Sequence, residues 1–201
     1  MAAGAAGKTA ANFVYEIKEV TVNASNQAVV KFRIKNNGAV LDLGALPADL
    51  TGGPSFLLAY ALPQGGVTPS DYNNLGKAAG QPGSVSLANV IKGTHGTLGA
   101  KDADGFYTAT LTGTAEAPAA FPSGSTLRAV ALQGYWSQKA YFEDGTDLPR
   151  HTLAHVMPVT GDPVRRDIID NKKCAACHEW FEGHGGNRVI GAASVGQNVC
   201  V

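Results

Sequence analysis

The stretch that most constrains the fold is "AVVKFRIKNNG" at 28–38, where Val30, Phe32 and Ile34 alternate with Lys31, Arg33 and Lys35. Successive side chains of an extended chain point to opposite faces, so this pattern is a strand with one face buried and one in water. Asn37 and Gly38 supply the turn that ends it. The preceding run "FVYEIKEVTV" at 13–22 pairs with it across "NASNQ", giving a hairpin with a polar loop. The apolar side of that first run changes phase near Glu19, which predicts a β-bulge.

Further strands are expected in "SFLLAYAL", "GFYTATLTG", "TLRAVALQGYW" and "TLAHVMPV", separated by loops rich in Gly, Pro, Asp and Ser. About seven strands is sandwich or barrel territory. The 25 glycines, 10 prolines and 16% charged residues suit a turn-rich, mainly β chain better than a helical bundle. The long link at 63–82 is expected to hold a short helix after Ser70 and Asp71, as a surface excursion. The chain divides into a flexible leader at 1–12, an all-β domain at 13–160 and a tail of different texture at 161–201. That tail has too few large side chains for a core of its own and is expected to pack loosely. Lys+Arg and Asp+Glu both number 16, so no polybasic surface points to nucleic acid or anionic lipid. No run of eighteen apolar residues is present to span a bilayer as a helix.

All three cysteines, Cys174, Cys177 and Cys200, fall in the tail, so they do not form a disulfide framework spread over the fold. Cys174, Cys177 and His178 form C-x-x-C-H, the attachment sequence of c-type haem. Two thiols one turn apart reach both vinyl groups of a porphyrin, and the adjacent imidazole reaches its iron, so tether and proximal ligand share one turn. Three other readings compete. A thioredoxin-like disulfide motif would need a βαβ setting, which is missing from the pattern. A zinc-stabilised tail would use Cys174, Cys177, His184 and Cys200, with spacings that match no common finger. Structurally inert cysteines are the third.

His184, in "EGHGGNR", is the nearest candidate for a distal iron ligand, to a neighbouring haem rather than the same one; a solvated loop histidine is the alternative. His151 and His155 are read as ordinary strand residues, with ligation as the lesser reading, and His95 as a turn residue. "DADG" at 102–105 resembles the start of a calcium loop but lacks the later glutamate, and is read as a β-turn. Trp136 and Trp180 are read as packing residues.

On the segment "RRDIIDNKKCAACHEWFEGHGGNR" with the closing "VCV", and more softly on "YEIKEVTVNASNQAVVKFRIKNNG", the chain resembles the decahaem outer-membrane c-type cytochromes of metal-reducing bacteria, the OmcA/MtrC group. The resemblance implies an N-terminal Greek-key split β-barrel flanking a wire of haems. Haem c would be held by Cys174 and Cys177 with His178 as proximal ligand, and Cys200 would be half of a truncated second motif. Arg165, Arg166 and Lys172 would pair with propionates or be solvated. The implied function is electron transfer rather than classical catalysis, at the extracellular face of the outer membrane or in the periplasm. Secretion would depend on a signal not present in this chain. The implied partners are neighbouring haems and the remaining domains of a parent cytochrome, outer-membrane porin–cytochrome partners, and metal oxides, metal complexes or flavins.

Overall fold

The computed structural model describes residues 8–73, 83–166, 170–178, 180–183, 185–191 and 194. The chain is mainly β. Its elements in order are β1 (Phe13–Val22), β2 (Ala28–Asn36), β3 (Ala39–Val40), β4 (Leu50–Gly52), β5 (Ser55–Ala61), β6 (Gly83–Ser86), α1 (Leu87–Ile91), β7 (Gly96–Leu98), β8 (Tyr107–Leu111), β9 (Thr126–Gln133), β10 (Trp136–Gln138), β11 (Leu148–Arg150), β12 (His155–Pro158), α2 (Asn171–Ala175), β13 (Trp180–Gly183) and β14 (Arg188–Gly191).

The alternation over β1 and β2 produces the expected antiparallel hairpin. Ile17 pairs with Phe32 and Glu19 with Lys31, so Lys18 is the extra residue of a bulge that restores Val20 to the buried side. The first sheet runs β1-β2-β8-β7 with β3 on β2, and its solvent face is zipped by Glu16 to Arg33 and Lys35, Lys31 to Asp102 and Lys18 to Asp104. The second sheet runs β12-β9-β5-β6, and a small sheet, β11-β10-β4, stands beside them.

The two large sheets pack face to face, as antiparallel sheets with one apolar side must. Phe32 of the first meets Phe56 of the second edge to face, with centroids 5.0 Å apart and both rings fully buried. Along one side β1 and β12 approach through single hydrogen bonds, Thr160 N–H to the Val20 carbonyl at 2.8 Å among them. No ladder joins them, so the result is a sandwich pinched at one seam and not a closed barrel.

The second sheet is buried on both faces. Its outer side carries Leu57, Ala59, Ala61, Leu127, Ala129, Ala131 and Val156, together with Tyr72 from the loop after β5. Past β12 the chain is fastened alongside by two ion pairs. Asp162 receives the Arg128 guanidinium in a fork, Nη2 to Oδ1 at 2.7 Å and Nε to Oδ2 at 2.9 Å. Arg165 bonds Asp71 at 2.5 Å while lying over the Tyr72 ring at 4.6 Å.

One detail differs from the sequence expectation. Within the stretch expected to be a flexible leader, Ala11 is buried and its N–H donates to Gln138 Oε1 at 2.7 Å, while Lys8 Nζ reaches the Ala140 carbonyl. Residues 1–7 lie outside the described residues, as does 74–82, where most of the expected helix after Asp71 would fall; Tyr72 and Asn73 are not helical. The first described helix, α1, runs from Ser86 at its cap to a left-handed Gly93 just past its end.

Candidate functional site

The C-x-x-C-H stretch begins on α2. Asp170 caps that helix, its carboxylate accepting the Lys172 N–H at 3.0 Å and its carbonyl the Lys173 N–H at 3.0 Å. Cys174 lies in the helix, and a turn closed by Ala176 N–H on the Lys173 carbonyl leads to Cys177. Positions 174 and 177 are therefore one turn apart. Cys177 is a free, exposed thiol, and His178 beside it is exposed as well. The His178 ring lies 4.9 Å from that of Phe181, tilted by 44°.

The next residues form an antiparallel hairpin, β13 with β14, in which Phe181 pairs with Ile190 and Glu182 with Val189. Its turn is the G-G-N part of the H-G-G-N-R segment. Gly185 and Gly186 both adopt left-handed conformations, φ +66° and +79°, which glycine alone reaches without a steric cost. Gly186 has a second reason to lack a side chain, because a Cβ there would stand 2.1 Å from His151 Cε1.

This hairpin is clamped to the sandwich, so residues 180–183 and 185–191 pack more firmly than expected of the tail, while 192–193 and 195–201 lie outside the described residues. Gly134 N–H donates to the Asn187 carbonyl at 2.8 Å and Ala154 N–H to the Val189 carbonyl at 2.9 Å. Arg188 Nε bonds Gln133 Oε1 at 3.1 Å, and the Val189 side chain is buried. The described part of the hairpin shares the interior of the domain through Val189. Val189 also bridges Leu153 in parallel, extending the hairpin into the chain ahead of β12.

His151 is part of the clamp. Its Nδ1 lies 3.0 Å from the Gly186 carbonyl, and because a carbonyl only accepts, Nδ1 carries the proton. The Tyr135 ring lies 4.5 Å from its ring, tilted by 41°, Trp180 meets it at 5.3 Å, and Glu182 Oε2 stands 3.7 Å from Nδ1. A groove of about 510 Å³ runs past these groups, lined by Pro149, Arg150, His151, Leu153, Trp180 and Val189.

His155 is structural too. Its Nδ1 donates to the Tyr15 carbonyl at 3.0 Å across the seam, and Tyr15 donates its hydroxyl to the Gly134 carbonyl at 2.8 Å. Burial pushes the Tyr15 phenol well up, so it stays a donor. Burial also lowers the His155 pKa below its ordinary value near 6.5, overcoming the Tyr15 carbonyl and the Glu16 charge, which raise it. The buried Nε2 has no hydrogen-bond partner among the described residues, and a second proton there would be costly. The unfolded chain then binds this proton more readily than the native one. The associated stability is complete above about pH 6.5 and is lost as pH falls from there through the depressed native value. Urea midpoints measured from pH 7.5 to 5 are expected to decline, and His155→Asn, which keeps a donor but cannot titrate, is expected to flatten that decline.

The remaining candidates sort plainly. Arg165 is held by Asp71 and Tyr72, and Arg166 approaches Asp71 at 4.0 Å while mostly exposed; Lys172 is exposed. The 102–105 stretch is a β-turn, Gly105 N–H on the Asp102 carbonyl. The Asp102 carboxylate is taken by the amides of Asp104 and Phe106 and by Lys31. His95 bonds Asn89 beside α1, and Trp136 is buried against Phe13. His184 and Cys200 lie outside the described residues. The sequence signals did not single out Phe181 or Gly186; the doubled glycine was the one visible hint of a left-handed turn.

On donor chemistry the residues present suit a c-type haem. An exposed thiol stands one turn after another cysteine, an exposed imidazole follows at once, and an apolar pair, Phe181 and Ile190, lies beside it. No protein-family model and no curated protein matches the sequence.

Proposed function

We propose that this chain carries electrons through a covalently attached c-type haem. Cys174 and Cys177 would form the thioether links and His178 would be the proximal ligand. The observation that carries the reading is the exposed Cys177–His178 pair at the end of a capped helical turn, followed directly by a hairpin clamped to a rigid sandwich. The bound haem would supply the one-electron couple; the protein would hold it at a fixed place and limit water around it. By its resemblance, the chain belongs to a multihaem outer-membrane cytochrome that passes electrons to metal oxides, metal complexes or flavins.

The test is maturation in a host that attaches c-type haem in its periplasm. The wild type is expected to run as a haem-staining band on a denaturing gel and to gain the mass of one haem for the pair Cys174 and Cys177. Cys174→Ser with Cys177→Ser is expected to lose the stain completely. Wild-type protein whose two thiols stay unmodified in such a host would defeat the proposal. A colourless product holding one zinc per chain, with β13 and β14 released by a chelator, would establish the zinc-stabilised tail instead.

A further inference from the structure

The β13–β14 hairpin has two faces with different neighbours. Consecutive residues of a strand point to opposite sides, and directly paired residues of an antiparallel ladder share a side. Trp180 and Glu182 face the sandwich, since both meet His151, and Val189, opposite Glu182, is buried there. Phe181 and Ile190 form the cross-strand pair of the other side, and both are half-buried. His178 packs on Phe181, so its imidazole belongs to that outer side, while His151 is locked beneath the inner one by the Gly186 carbonyl. The hairpin itself stands between the two imidazoles.

We propose that Phe181 is a positioning residue for His178, setting the plane of its imidazole from the outer face of the hairpin. The inference rests on the haem reading above, in which that imidazole is the proximal ligand. An exposed histidine on a single bond is free to rotate about χ1 and χ2. A ring 4.9 Å away at 44° removes part of that freedom, and the clamps at Gly134 and Ala154 hold the turn and β14, to which the strand bearing Phe181 is paired. An oriented imidazole presents its lone pair in one direction, and its plane sets how its π orbitals meet the iron d orbitals. Neighbours of a ligating histidine tune a metal in this way.

The experiment compares Phe181→Leu, which keeps apolar bulk, and Phe181→Tyr, which keeps the ring. Trp180→Phe on the inner face controls for general loosening of the hairpin. In haem-free protein, Phe181→Leu is expected to lose the ring-current displacement of the His178 ring-proton resonances, and Phe181→Tyr to retain it. In matured protein, Phe181→Leu is expected to shift and broaden the g-value pattern of the ferric haem, with Phe181→Tyr and Trp180→Phe close to wild type. Attached haem with an unaltered g pattern in Phe181→Leu overturns this inference alone. A wild type that takes up no haem, seen on the stained gel before any variant is compared, overturns the function proposed above and this role of Phe181 with it.

Discussion

Gly186→Ala is expected to release the β13–β14 hairpin from the sandwich. The new Cβ would stand 2.1 Å from His151 Cε1 and 2.5 Å from its Nδ1, inside any tolerable contact, and the backbone would keep a φ of +79°. Left-handed strain for a non-glycine residue costs about 1–2 kcal/mol, and overpacking at a buried contact about 1–3 kcal/mol more. His151 cannot step aside freely, being held between Tyr135 and Trp180. The measurement is amide hydrogen exchange at Gly134 and Ala154, whose N–H groups end on hairpin carbonyls. Their protection is expected to fall by the equivalent of about 3 kcal/mol, while amides at the centre of β2 and β9 keep theirs. Combining Gly186→Ala with His151→Ala removes the clash but not the strain, so it should recover only part of the loss. Unchanged protection in the single variant would contradict the docking described here.

Phe56→Ala is expected to cost the whole domain about 4 kcal/mol, read as a lower urea midpoint at an unchanged slope. Phe56 is fully buried and is the ring against which Phe32 packs edge to face, so its loss opens a cavity between the sheets at the point where they are joined. Val14→Ala gives the contrast, since Val14 is 44% exposed on β1. A change of less than about 0.5 kcal/mol is expected there. Comparable losses at the two positions would mean that the sandwich interior lies elsewhere.

The parts of this fold that can be read from the letters are those fixed by local pattern. The period-two run at 28–36 and the phase change near Glu19 translate directly into β2 and the bulge at Lys18, because one strand's own side chains decide which side is wet. "FLLA" and "AVAL" are continuous rather than alternating, and the reason is spatial: β5 and β9 are covered on both faces. α1 is only five residues long and is framed by signals as small as Ser86 and Gly93. β13 and β14 were not legible at all. Each is four residues, and what orders them is bonding to Gly134 and Ala154 and burial of Val189, none of it local. The candidate site divides the same way. The cysteines and His178 announce themselves by spacing, whereas the fit of Gly186 under His151 joins positions 35 apart in sequence, and no local pattern records that contact.

The clamp also imposes an order of events on the chain. Its receiving groups, Gln133, Gly134 and Ala154, are placed only once β9 and β12 have paired with each other and β9 with β5, where Phe56 meets Leu132 with β6, α1, β7 and β8 between them in the chain. Contacts of that sequence separation close late and slowly. The hairpin that follows the thiol-bearing segment is thus among the last parts to come to rest, and Cys177 stays exposed once it has.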